Sequence, residues 1–264
     1  MEKLRSINFK KYFAIFKYSL KMNLTFIWDY LFSAFSFAAH VMVFNSLWDF
    51  ILKDGSVFGY NKQEMIWYII ITEFITYSAV IFYKKISEMV LDGTIANLLI
   101  KPMNVLTYIV FEQSANFVKI LINAVMAVIL GISFGGLIVL SNEAIAFFGL
   151  SFIFALIIST LIQLIIGLIA FYIEETKSIW FVIQKLQFLL VFVPIEFYGK
   201  IMEKILLILP TTHIVYTPAT ILIKYDFNNC IALLLMQVMT IIALTLATCI
   251  LYKKGVRKIN VNGG

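Results

Sequence analysis

The chain has 264 residues, of which 62% are hydrophobic and only 14% charged. Soluble domains run at about 45–50% apolar and about 25% charged, so this chain has too little polar surface to cover a water-soluble globule. A mean hydropathy of +0.95 makes it an all-α polytopic membrane protein and excludes a disordered chain, a disulfide scaffold and a soluble enzyme. Its net charge of +6 then reports cytoplasmic loops facing anionic lipid rather than a nucleic-acid surface.

Residues 1–27 do not read as a secretory signal. Phe9, Phe13, Phe16, Leu20, Leu24 and Ile27 recur at steps of 4, 3, 4, 4 and 3, the stripe of an α-helix. Lys3, Lys10, Lys17 and Lys21 occupy another face. A helix of that kind lies in the headgroup plane, aromatics in the acyl boundary and lysines towards phosphate.

A helix needs about 20 apolar residues to cross the hydrocarbon, and six stretches supply them: Tyr30 to Trp48, Met65 to Tyr83, a part of Val105 to Leu140, Ala144 to Ile173, Ser178 to Ile195 and Phe227 to Tyr252. The third stretch is too long for one straight span, which predicts a break near Gly131, Gly135 and Gly136. With both termini inside, the cytoplasmic pieces carry fourteen lysines and arginines and the outer pieces five. The positive-inside rule favours that orientation. Cys230 and Cys249 show no paired ligand spacing and read as small apolar residues of a helix.

Two connecting segments are more than connectors. Lys84 to Asn104 carries a helical apolar pattern (Ile86, Met89, Val90, then Ile95, Leu98, Leu99), broken by Gly93 and ended by Pro102. Such a short amphipathic segment either docks onto a partner protein or rests on the membrane surface. Val193 to Phe227 is too apolar for a solvated loop and is punctuated by Pro194, Pro210 and Pro218, which disfavour a continuous helix. Non-helical backbone at membrane depth survives only when buried in protein or lining a cavity, so residues 193–227 read as a re-entrant outer hairpin. His213 within it reads as a hydrogen-bonded structural residue.

This order of parts resembles the permease subunit of an ABC-2 type exporter. Asp92-Gly93-Thr94-Ile95 with Leu98-Leu99-Ile100-Lys101-Pro102 is similar to the family's coupling segment. Val193-Pro194-Ile195 with Leu209-Pro210 and Ile214-Val215-Tyr216-Thr217-Pro218 is similar to its segment before the last span. Glu196 and His213 depart from the family's pattern. The resemblance implies one transmembrane domain over residues 1–264, a permease dimer of identical or sister chains, and two cytoplasmic ATP-binding cassette ATPase subunits. It implies that Met89, Asp92, Gly93, Ile95, Leu98, Leu99 and Pro102 couple the ATPase to the spans. No G-x-x-x-x-G-K-[ST] loop occurs, in keeping with what the resemblance implies: ATP and Mg on the partner chain, and a transporter subunit rather than an enzyme here.

An ionisable group inside a span needs a partner or an aqueous face, because it costs about 2.5–3.5 kcal/mol at a helix centre. Glu112, Asn116, Lys119 and Asn123 follow steps of 4, 3 and 4 and share one face. Glu112 and Lys119 are placed to compensate one another through Asn116, with Glu73 a partner from the second span. The stripe is either a structural polar seam or the wall of a translocation path. Lys185 reads as a residue that snorkels to the headgroups. A stand-alone carrier or channel is the alternative, although residues 1–132 and 133–264 lack the internal repeat such carriers show. A lipid-modifying enzyme would require clustered Asp, His or Ser, and a metal site would require paired ligands; the sequence shows neither.

Overall fold

The structure, a computed structural model, describes residues 9–52, 55–101 and 103–262. Pro102, Lys53 and the leader's first eight residues, Lys3 and Arg5 among them, lie outside the described residues. Within them the chain is all-helical, apart from an isolated bridge between Val57 and Tyr60. Twelve α-helices follow in order: α1 Phe9–Thr25, α2 Ile27–Ile51, α3 Lys62–Ser78, α4 Tyr83–Leu91, α5 Ile95–Ile100, α6 Val105–Ser114, α7 Phe117–Leu130, α8 Asn142–Ile169, α9 Lys177–Phe192, α10 Lys200–Ile208, α11 Thr212–Ile223 and α12 Phe227–Asn262. Five continuous or kinked helical stretches are long and apolar enough to cross a membrane, and a bent pair raises the number to six.

The sixth differs from the sequence expectation. The stretch predicted from Ser178 to Ile195 forms α9, only 16 residues long, about 24 Å at 1.5 Å per residue. It ends because Pro194 follows Val193, whose backbone is extended, as the residue before a proline prefers. The bent pair is α10 and α11, which meet at 113° across Pro210. α11 is buried along nearly its whole length, from Thr212 to Leu222.

At the core lies α3, with Met65, Ile66, Tyr68 to Ile71, Phe74 and Ile75 all buried. Its neighbours are α2, α7, α9 and α11. A smaller cluster joins α4, α5, α6 and α8 through Phe82, Ile86, Ile95, Val105, Ile109, Leu164 and Leu168. There Gly167 is required, since a Cβ on it would lie 2.6 Å from the Ile86 Cβ.

The predicted glycine break is present. After α7 the helix widens into a π-turn over Gly131–Gly135 and leaves it through Gly136 at φ 69°. The cause is an indole. Cβ atoms on Gly131 and Gly135 would fall 2.2 and 2.7 Å from the Trp67 ring, whose Nε1 donates to the Gly136 carbonyl at 3.1 Å. The G-x-x-x-G spacing thus forms a slot for one side chain, rather than a face for another helix backbone.

Chain reversals gather at two ends of the bundle. The leader end holds α1, α4, α5 and the α8–α9 turn, tied by Tyr12, which accepts from the Asn104 N–H at 2.9 Å, and by a Ser87–Thr176 hydroxyl pair at 2.8 Å. The hairpin end holds the 55–61 turn, residues 136–141 and the α10–α11 pair. Lys10, Lys11, Lys17 and Lys21 of α1 are exposed, as are Phe13 and Leu24. α1 packs on α6 and α7 through rings, Tyr12 on Phe111 at 5.3 Å and Phe16 on Phe117 at 6.1 Å.

Candidate functional site

The second predicted span does not run unbroken to Tyr83. α3 stops at Ser78 and residues 79–82 are non-helical before α4 resumes the direction. Ala79-Val80-Ile81-Phe82 contains neither proline nor glycine, so the break comes from tertiary partners. Lys119 donates to the Ala79 carbonyl at 3.2 Å, and Asn123 donates to the Tyr77 carbonyl at 3.1 Å. Gln163 of α8 completes the set. Its Nε2 donates to the Val80 carbonyl at 2.6 Å, while its Oε1 accepts from the N–H of Phe82 at 2.7 Å and of Tyr83 at 3.3 Å. Each freed peptide group in hydrocarbon would otherwise cost several kcal/mol.

These contacts correct the expected polar stripe. Glu112 does not meet Lys119; it pairs with Lys85 of α4 at 2.7 Å. The helix is interrupted between Ser114 and Phe117, so the regular spacing does not describe one rod. Asn116 serves the leader, accepting from Asn23 at 3.2 Å and from the Tyr30 hydroxyl at 2.7 Å. Four residues grouped by spacing therefore divide into three separate jobs. Gln163 was missed, although a lone amide in the charge-free part of α8 after Glu143 was the available signal.

Beside the break, α2, α3, α7 and α9 enclose a cavity of about 390 Å³ lined by His40, Glu73, Thr76, Tyr77, Lys119, Trp180, Phe181, Lys185 and Phe188, among others. The Glu73 side chain is 2% exposed, and among the described residues the one ion-pairing group near it is His40, whose Nδ1 lies at 3.4 Å. The same nitrogen meets the Tyr77 hydroxyl at 3.2 Å. Glu73 Oε1 takes no hydrogen bond among the described residues. On the facing helix, the Lys185 Nζ sits 5.0 and 5.5 Å from the Phe181 and Phe188 rings. Among the described residues, no group of three or more His, Cys, Asp or Glu is placed to hold a metal.

At the leader end, Asp92 caps a tight turn by accepting from the Thr94 N–H at 3.0 Å and its hydroxyl at 2.7 Å. The Thr94 bonds hold the Asp92 carboxyl below the usual carboxylate range. Gly93 follows at φ 75°, a conformation that favours glycine. Ile95 is buried in its own chain's cluster, and Met89, Leu98 and Leu99 are half-buried against it. Leu91 at 52% and Ile100 at 79% are the apolar groups presented outward.

A family model described as ABC-2 family transporter protein matches residues 19–263. The chain belongs to the ABC-2 transporter family. No curated protein and no solved structure matches it. In this membrane component of the ABC-2 transporter family, several polar groups brace the backbone. His213 is one such structural group: its ring bonds Thr217 at 3.1 Å, and its carbonyl accepts from Gln237 at 2.8 Å.

Proposed function

We propose that the chain is the permease subunit of an ATP-driven exporter in the cell membrane, paired with a second permease protomer and driven by two ATP-binding cassette ATPases that hold Mg and ATP. Both termini, α1 and the α4–α5 segment are on the cytoplasmic side. The charge asymmetry of the loops supports that orientation, and α1, with exposed lysines beside exposed Phe13 and Leu24, suits the headgroup plane. The α10–α11 pair is the outer re-entrant hairpin.

One observation carries the reading. The α4–α5 segment projects two apolar side chains, Leu91 and Ile100, from a capped turn, and it joins the central α3 through the unwound residues 79–82. A docked motor acting on that turn pulls directly on the wall of the cavity. In this arrangement Leu91, Asp92, Gly93 and Ile100 face the ATPase, while Met89, Ile95, Leu98 and Leu99 shape the segment from behind.

The test is co-purification with the cognate ATPase. Leu91→Asp with Ile100→Asp abolishes co-elution and leaves the melting temperature of the permease unchanged. Leu98→Asp lowers the melting temperature, because it places a charge against a packed cluster. Unaltered co-elution of the double variant overturns the coupling role.

A further inference from the structure

We propose that the cavity between α2, α3, α7 and α9 binds a zwitterionic amphiphile: an ammonium group, an acidic group and an apolar body in one molecule. The inference rests on the exporter reading only in calling that molecule cargo. Its chemistry comes from the lining.

Glu73 is the first reason. A carboxyl group with a 2% exposed side chain, lining a cavity and taking no hydrogen bond on Oε1, is an unmet demand for a donor, and a cation set against it is what would hold it ionised. His40 is poorly placed to meet it, at 3.4 Å and with the same nitrogen against Tyr77. An ammonium group brings both charge and several donors. The second reason lies on the facing helix. Lys185 has no acidic partner within ion-pair range among the described residues and rests only on the Phe181 and Phe188 rings. Lys119 spends one donor on the Ala79 carbonyl.

A ligand of one sign fails against this lining. A bare lipophilic cation satisfies Glu73 and meets two lysines; a bare anion satisfies Lys185 and leaves Glu73 buried and unpaired. A molecule bearing both signs satisfies both walls. Ile81, Trp180, Phe188 and Val191 receive its apolar body, and the volume of about 390 Å³ falls within the range of roughly 300–1,000 Å³ typical of ligand sites. The acidic group is a carboxylate, as in an amino-acid amphiphile, or a phosphate, as in a zwitterionic lipid headgroup.

The experiment is calorimetric titration of the full chain in phosphatidylglycerol nanodiscs, whose lipid carries no ammonium group. Four probes share a twelve-carbon body: 2-aminododecanoic acid, lauroyl lysophosphatidylethanolamine, dodecylamine and dodecanoate. At least one zwitterion binds about tenfold tighter than either singly charged probe, the scale of one charge-assisted hydrogen bond, and which zwitterion leads identifies the acidic group. E73Q loses about that factor for the zwitterion and for dodecylamine but not for dodecanoate, K185M shows the mirror pattern, and E73D recovers part of the loss. Equal affinity for all four probes, preference for dodecylamine alone, or an E73Q variant that binds as the native chain does, each overturns the proposal. No ATPase is present in this titration, so failed ATPase docking overturns the exporter reading and leaves the ligand class standing, and the reverse also holds.

Discussion

The two ends of the bundle are fastened by different chemistry. At the hairpin end, Glu196 gathers two phenols from distant elements, Tyr60 at 3.3 Å and Tyr216 at 2.8 Å. Lys224 locks the 55–61 turn, donating to the Gly59 carbonyl at 2.7 Å with its Nζ 3.3 Å from the centre of the Tyr60 ring. Burial, then the Glu196 charge, hold the Tyr60 phenol well above its ordinary range, so it remains a donor at every physiological pH. On the leader side, by contrast, the central helix has given up its own ladder and borrows partners from α7 and α8. A clasp of hydroxyls on one carboxylate resists displacement. A peptide segment capped by Lys119, Asn123 and Gln163 changes direction at the cost of few helical bonds, since only the Ala79 N–H at its start and the Phe82 carbonyl at its end still take part in the ladder. The difference assigns stiffness to one end and articulation to the other.

The largest expected effect comes from breaking the articulation. Gln163→Leu strands the Val80 carbonyl and the N–H groups of Phe82 and Tyr83, and at about 1–3 kcal/mol for each unsatisfied buried group it lowers stability by about 3 kcal/mol or more, read by thermal unfolding in nanodiscs. Gly131→Ala drives a methyl into the Trp67 ring and costs about 1–3 kcal/mol as overpacking; Trp67→Leu recovers part of that loss in the double variant. At the clasp, Glu196→Gln weakens two hydrogen bonds to a charged acceptor and costs about 1–2 kcal/mol, while the proposed association with an ATPase is untouched. Loss of association in that variant would erase the contrast between the ends. The smallest effect is the Lys85–Glu112 pair, half-exposed on the lysine side; a double-mutant cycle gives about 0.5–1 kcal/mol of coupling. The same cycle on Glu112 and Lys119 gives additive losses.

Hydropathy made most of the helices legible, together with the break at Gly131 to Gly136 and the role of His213, because each depends on local composition or on a residue's own backbone. The break at 79–82 was not legible. Its residues are ordinary apolar ones, and the side chains that stabilise it arrive from 40 to 83 positions away. The Glu112–Lys119 expectation failed for the same reason: spacing along one segment says nothing of Lys85 entering from another. Glu73 was legible as an ionisable group in a span, but its want of a partner appeared only once α9 was seen to stand across the cavity.

The Trp67 ring seated against Gly131 and Gly135 has a mechanical consequence. A ring wedged between two bare α-carbons works as a key in a keyway, so α7 cannot roll or slide along α3 without ejecting the indole. The two helices therefore travel as one piston, and any displacement of the loosened joint reaches the opposite end of the bundle as a shift of the whole pair.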